Sequence, residues 1–180
     1  MNVIRTAIPD VLILEPKVFR DQRGFFLEAY NKRDFRAATG LDVEFVQDNH
    51  SWSAKNVIRG LHYQLGQPQG KLIRVVAGEI YDVAVDLRRS SSTFGKAACF
   101  PLNAANHRMA WIPPGFAHGF LALSNYAEII YKATDFYAPE HERTLLWNDA
   151  ALGIRWPIEG EPILADKDRR GANLSCAELE

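Results

Sequence analysis

Cysteine is nearly missing from this chain of 180 residues, where Cys99 and Cys176 are the only two. Two cysteines cannot make a disulfide framework, and nothing around them has zinc-like spacing. No apolar run approaches the roughly 18 residues that a membrane helix needs. The opening Met-Asn-Val-Ile-Arg-Thr lacks the apolar core of a secretory signal. An excess of one charge is missing too: 21 Lys and Arg face 22 Asp and Glu, a net charge of −1. That balance argues against a general binder of nucleic acid or membrane surfaces, and leaves room for a local basic pocket. Internal repeats, low-complexity segments and linkers are also lacking. The expectation is a soluble, cytoplasmic protein of one domain over residues 1–180, long enough to bury a core without staples.

What is present are short apolar runs separated by turn residues. They fall at 11–14, 25–30, 43–46, 57–65, 72–76, 79–87, 97–102, 109–112, 118–123 and 127–137. The runs on either side of Gly78 suggest a hairpin. Tyr81, Val83, Val85 and Leu87 alternate with Asp82, Ala84 and Asp86. A period of two is a strand signal, and it puts both acids on one face, expected to point outward, with a pocket role for Asp82 as the alternative. A single helix is predicted at about 32–39, capped by Asn31, favoured by Asp34 and stopped by Gly40. The segment after about residue 150 is irregular, and about 171–180 reads as a flexible tail. Many short strands with Gly and Pro turns predict an all-β sandwich or barrel.

Four clusters stand out: Arg59-Gly60-Leu61-His62-Tyr63-Gln64, Gln69-Gly70-Lys71, the stretch from Pro113 to Phe120, and Tyr131-Lys132. Together they resemble the two half-motifs of the cupin family, a jelly-roll barrel. Pro113, Pro114, Gly115 and His118 match the second motif. In the first, His62 takes the first histidine position, Gln64 stands where the second belongs, and Lys71 stands where the Glu ligand belongs, six residues short of Gly78. A lysine ammonium has no lone pair to give and repels a divalent ion, so the pattern keeps the cavity and argues against the metal. A histidine beside a fixed cation suits proton abstraction next to a carbonyl. The histidine takes the proton and the cation meets the enolate oxygen. Inversion of a carbon also needs an acid on the opposite face, for which Tyr131 is a candidate.

The likeness extends beyond the cupin pattern. Arg23-Gly24, Phe26, Glu28, Gln47-Asp48-Asn49, the 59–64 and 82–88 motifs, Gly115 to Phe120, Tyr131-Lys132, Trp147 to Asp149 and Asp166-Lys167-Asp168 resemble, in order, the dTDP-4-dehydrorhamnose 3,5-epimerase family. The resemblance implies a cupin-type jelly roll with a few short helices, a homodimer, no cofactor and no metal. It implies a dTDP-linked 4-keto-6-deoxy sugar as substrate, and neither a nucleic-acid nor a membrane partner. It makes His62 the base, Asp168 the carboxylate behind it, Tyr131 the acid and Lys71 the stabiliser of the enolate oxygen. Arg59, His118 and Lys167 would lie near the diphosphate and sugar. Gln47, Asp48 and Asn49 would line the pocket, and Glu142 would belong to the nucleotide site. Arg23 and Glu28 would bind the nucleotide from the neighbouring subunit.

Other readings remain beside this one. A lone histidine is most often a satisfied core residue, and Asp168 sits in a charged run of the kind that is usually solvated. Phe26 and Tyr137 read as core or wall residues. A mono-epimerase, a metal cupin and a non-catalytic sugar-nucleotide-binding module are the competing functions. One internal tension concerns Arg59. Strict alternation puts it on the face opposite His62, so both reach one pocket only through a bulge, for which Gly60 is well placed.

Overall fold

Period-two alternation lets a strand bury one face or both, and here the strands at the middle of the sheets bury both. The computed structural model describes residues 1–179. In chain order it contains β1 (Asn2–Arg5), β2 (Leu12–Glu15), β3 (Val18–Asp21), β4 (Gly24–Leu27), α1 (Lys32–Thr39), β5 (Gln47–Ala54), β6 (Ile58–Gln64) and β7 (Lys71–Ala77). There follow β8 (Glu79–Asp86), β9 (Ala97–Asn103), β10 (Met109–Ile112), β11 (Phe116–Ala122), β12 (Tyr126–Ala133), β13 (Glu142–Thr144) and the single turn α2 (Asp166–Arg169). A six-stranded sheet in the order β1-β2-β10-β7-β12-β5 faces a five-stranded sheet in the order β13-β6-β11-β8-β9. Neighbours within both sheets run antiparallel, and β3 and β4 form a separate hairpin. This is the expected cupin-like jelly roll.

Three apolar layers hold it. Between the sheets, Ile73, Val75, Ile112 and Ile129 meet Ile80, Ala84, Phe100 and Phe120. Outside the five-stranded sheet, Leu61, Tyr63, Val83, Val85 and Leu87 are covered by the C-terminal segment through Leu145, Leu152, Trp156 and Leu174. The tail shares in that cover: Tyr63 Oη donates to the Glu178 carbonyl at 2.8 Å, and Arg143 pairs with Glu178 at 2.7 Å. Outside the six-stranded sheet, Leu12, Leu14, Leu72, Met109 and Trp111 pack on Phe35 of α1. That helix spans the predicted residues. The Asn31 side chain accepts from the Asp34 N–H, and Gly40 closes the helix at φ 76°.

Two expectations change. Gly78 does not turn a hairpin. β7 pairs with β10 and β12 whereas β8 pairs with β9 and β11, so the chain crosses from one sheet to the other there. Asp82 and Asp86 do not point outward: both are 0% exposed. Their face of β8 is the one turned into the barrel, and the apolar face lies under the C-terminal segment. Alternation finds the two faces of a strand, but it does not say which is inner when both are covered.

The bulge is present. His62 pairs with His118 and Arg59 with Phe120, so Gly60 and Leu61 together oppose Gly119 alone. Gly60 has φ +120°, and a Cβ there would meet Gly119 Cα at 2.6 Å and the His118 carbonyl at 2.7 Å. Only glycine fits this close approach. Gly60→Ala is therefore expected to lower stability by about 1–3 kcal/mol, the range for a forced backbone conformation. Urea unfolding reads this directly; an unchanged midpoint would mean that the bulge relaxes freely.

Candidate active site

The space between the sheets is filled by hydrocarbon in one part and left open in another. The open part is a cavity of about 600 Å³, lined among others by Arg59, His62, Lys71, His118, Tyr131 and Asp168. A second hollow of about 440 Å³ adjoins it and shares His62, Lys71 and Tyr131. His62 and His118 project from β6 and β11 of one sheet; Lys71 and Tyr131 project from β7 and β12 of the other. The gap thus separates the histidine from the tyrosine. The bulge at Gly60 turns Arg59 into the same space.

Asp168 reaches His62 because the chain before it is tied to β6. Val57 bridges Ile163 in parallel, and the Ile58 N–H donates to the Ile163 carbonyl at 3.0 Å. Asp168 then turns inward from α2 and lies 2.6 Å from His62 Nε2. Its side chain is only 2% exposed, against 24% for His62. Asp168 is therefore not part of a solvated run. With the Nε2–H given to the carboxylate, Nδ1 keeps its lone pair, as a base requires.

Lys71 lies deep between the sheets. Burial lowers its pKa to about 8, and the negative charges of Asp82 and Glu142 work against that fall. Tyr131 is shifted the other way. Burial raises its pKa, so the hydroxyl holds its proton. His118 Nε2 lies 3.0 and 3.1 Å from the two oxygens of Asp82.

Toward the mouth, Lys167 Nζ lies 2.8 and 2.9 Å from the Glu142 carboxylate, which also accepts from Tyr137 Oη at 3.2 Å. Gln47 donates to Asn49 Oδ1 at 2.9 Å. Asn49 Nδ2 is buried and has no hydrogen-bond partner among the described residues. Such an orphan donor in a cavity wall suits an acceptor on a ligand. Arg59 is braced by Ser53 Oγ at 2.9 Å and the Trp52 carbonyl at 3.0 Å.

Three expected residues are not brought to this cavity. Asp48 falls on the outer face of β5, one residue out of step with Gln47 and Asn49, and pairs with Lys132 at 2.9 Å. Arg23 is 90% exposed and bound to Asp21 on the β3–β4 hairpin. Glu28 is exposed just beyond that hairpin. Phe26, 69% exposed, is neither core nor cavity wall, whereas Tyr137 lines the cavity as a wall residue although 51% exposed. Two contributors are not singled out by the sequence. It favours an outward Asp82 over one in the pocket, although an acid beside a histidine-bearing strand is a usable signal. Ser53, which braces Arg59, carried none.

Gln64 occupies a ligand position of the cupin pattern, but its amide is spent on loops. It donates to the carbonyls of Gln67 and Phe136 at 2.8 and 3.1 Å and accepts from the Ala138 N–H at 3.0 Å. Among the described residues no three His, Cys, Asp or Glu side chains are grouped to hold a metal ion. No helix among them is long and apolar enough to cross a membrane.

A family model described as dTDP-4-dehydrorhamnose 3,5-epimerase matches residues 5–175. A protein of that name from Salmonella typhimurium is 59% identical over 180 residues, covering 99% of this chain and 98% of its own length. One from Pseudomonas aeruginosa is 58% identical over 178 residues, with the same coverage of 99% and 98%. Among solved structures, a dTDP-6-deoxy-D-glucose-3,5-epimerase from Legionella pneumophila in complex with dTDP-4-keto-L-rhamnose superposes with a TM-score of 0.96. It is 46% identical, and the alignment covers 98% of this chain and 94% of that one.

The buried ammonium makes a prediction of its own. Followed by the 15N shift of Nζ, Lys71 should titrate near about 8. Glu142→Gln removes one of the carboxylates that hold the proton on, so the midpoint should move lower still. A midpoint at the ordinary 10.5 would contradict the buried placement.

Proposed function

Because the chain belongs to the dTDP-4-dehydrorhamnose 3,5-epimerase family, we propose that it converts dTDP-4-dehydro-6-deoxy-D-glucose to dTDP-4-dehydro-L-rhamnose. The observation that carries the mechanism is the opposition across the cavity. The His62–Asp168 pair stands on one wall, and Tyr131 with Lys71 stands on the other.

The two carbons inverted flank the C4 ketone, so their protons are acidified by it. His62 Nδ1 takes the proton from one face, and Asp168 stabilises the imidazolium that forms. The electron pair moves onto the ketone oxygen, where the Lys71 ammonium meets the charge in a site shielded from water. Tyr131, kept protonated by burial, returns a proton from the opposite face. The same four groups serve both carbons when the sugar presents each in turn. Arg59, His118 and Lys167 bind the diphosphate and its sugar, with arginine suited to phosphate oxygens. Gln47, Asn49 and Glu142 bind the nucleoside end. No step calls on a cofactor.

The substrate site is completed by a second copy of the chain. The β3–β4 hairpin exposes Phe19, Phe25 and Phe26 at 52, 53 and 69%, a surface suited to burial against another protomer. In a homodimer the hairpin would carry Arg23 and Glu28 to the neighbouring nucleotide end. A protein working on a small soluble nucleotide sugar, with neither nucleic acid nor membrane as partner, fits a cytoplasmic setting.

Three measurements test this reading. In deuterated water, enzyme and substrate should incorporate label at both flanking carbons; label at one alone would identify a mono-epimerase, and none would remove the proton-transfer mechanism. His62→Ala should reduce exchange by about 10²–10⁴-fold, as for loss of a general base, whereas Tyr131→Phe should retain exchange and lose inversion. The rate should fall as pH rises through about 8, since Lys71 gives up its charge there. For the assembly, sedimentation should give a dimer. Phe25→Ser with Phe26→Ser should then shift it to monomer and raise KM about tenfold or more. A wild-type monomer with full activity would rule out the shared site.

A further inference from the structure

Asp82 is a carboxylate with 0% exposure on the inner face of β8, flanked along that face by Ile80 and Ala84 and paired in register with Phe120. Among the described residues the one side chain hydrogen-bonded to it is His118, with Nε2 held between its two oxygens at 3.0 and 3.1 Å. His118 is itself only 11% exposed. A buried ionised carboxylate is strongly disfavoured unless cations stand near it, because hydrocarbon offers nothing in place of its lost water. Its surroundings supply them unevenly. β11 contributes His118, and β7, across the gap, contributes Lys71. β6 contributes His62, already paired to Asp168 from α2, and β12 contributes Tyr131. β13 contributes Glu142, tied to Lys167, and β9 contributes only apolar side chains to that face, its Cys99 lying on the outer one. Lys71 feels Asp82 ahead of Glu142 among the charges that favour its ammonium form.

His118 also stands directly across from His62 in the β6–β11 register. The barrel therefore holds two histidines side by side, each with a buried carboxylate on Nε2 and Nδ1 left for the cavity. Asp168 serves the first and Asp82 the second.

We propose that Asp82 is a positioning residue of the epimerisation: it fixes the His118 ring with Nδ1 toward the substrate, and it is the counter-charge that keeps the Lys71 ammonium ionised. This rests on the function proposed above. It differs in that Asp82 touches no reacting atom and acts through His118, which binds the substrate, and Lys71, which meets the ketone oxygen.

Asp82→Asn keeps the size and removes the charge. In substrate-free protein, the Lys71 Nζ midpoint should fall by about one pH unit, the usual effect of losing an opposite charge nearby. The alkaline limb of kcat for deuterium incorporation should fall by the same interval, with KM within about twofold of wild type if the effect lies in the chemical step. An Asp82→Asn protein with native unfolding behaviour and an unmoved Lys71 midpoint would overturn the counter-charge role. Should the variant fail to fold, the wild-type protein still decides the matter through the 15N spectrum of the His118 ring. A proton on Nε2 supports the proposal, and a neutral Nδ1–H tautomer refutes it. The spectroscopic measurements need no substrate. An absence of deuterium exchange in the wild-type enzyme would therefore defeat the functional reading separately from the assignment of Asp82.

Discussion

Everything in this molecule depends on where the filling between two antiparallel sheets changes from hydrocarbon to charge. The change occurs within two residues along each strand. On β7, Lys71 follows the same face as Ile73; on β12, Tyr131 follows Ile129; on β11, His118 precedes Phe120. A two-residue step is about 7 Å along a strand, so each of these three strands presents an apolar and a polar side chain to the gap in succession. Register brings most of the polar ones together. Tyr131 pairs with Asn49 and His62 with His118, while Lys71 lies opposite Ala133, one two-residue step from Tyr131. The apolar layer seals the barrel and holds the strands rigid, and the polar layer inherits that rigidity. The bulge at Gly60 is a local departure that recruits Arg59 to the cavity.

Charges placed this deep add little to stability. Desolvation offsets most of the attraction in a buried ion pair, and apolar replacements are often as stable. His62–Asp168 and His118–Asp82 are better understood as devices for fixing the two rings. Lys71 illustrates the balance. Burial pulls its pKa down while two carboxylates hold it up, leaving an ammonium that can lose its proton only slightly above neutrality. A cation so placed stabilises an oxyanion strongly because water does not screen it.

Much of this was legible in the sequence wherever local chemistry decides the structure. Asn31 and Gly40 bracket α1, Met109–Ile112 is a strand along its whole predicted length, and Gly60 marks the bulge. The failures share a cause. β5 was missed because its inner residues Gln47, Asn49 and Ser51 line a cavity rather than a core, so the apolar alternation is absent. Asp82 was turned the wrong way because both faces of β8 are covered, one by hydrocarbon and one by a polar layer. Asp168 was singled out only by family resemblance. Its burial depends on the bridge from Ile163 to Val57, a contact no local pattern announces. Arg23 and Glu28 lie outside the cavity of the single chain, as residues meant for a neighbouring protomer would.

The replacement of two ligand positions explains how a metal-binding pattern can serve proton transfer. Gln64 fastens the loop at 65–70 to the segment 136–138, which ends β12's return and brings Tyr137 to the mouth. A histidine there could not make all three contacts, because one imidazole lacks the two donors and the acceptor an amide offers. Lys71 puts a fixed positive charge on the wall facing His62. Charge development during enolisation is confined to a single oxygen, and one well-placed ammonium addresses it. A divalent ion would bring more charge than that oxygen needs and would compete with the proton for the histidine lone pair. The substitution of amide and ammonium for imidazole and carboxylate thus leaves the His62 ring without a metal to hold, and a buried carboxylate stands behind each of the two histidines.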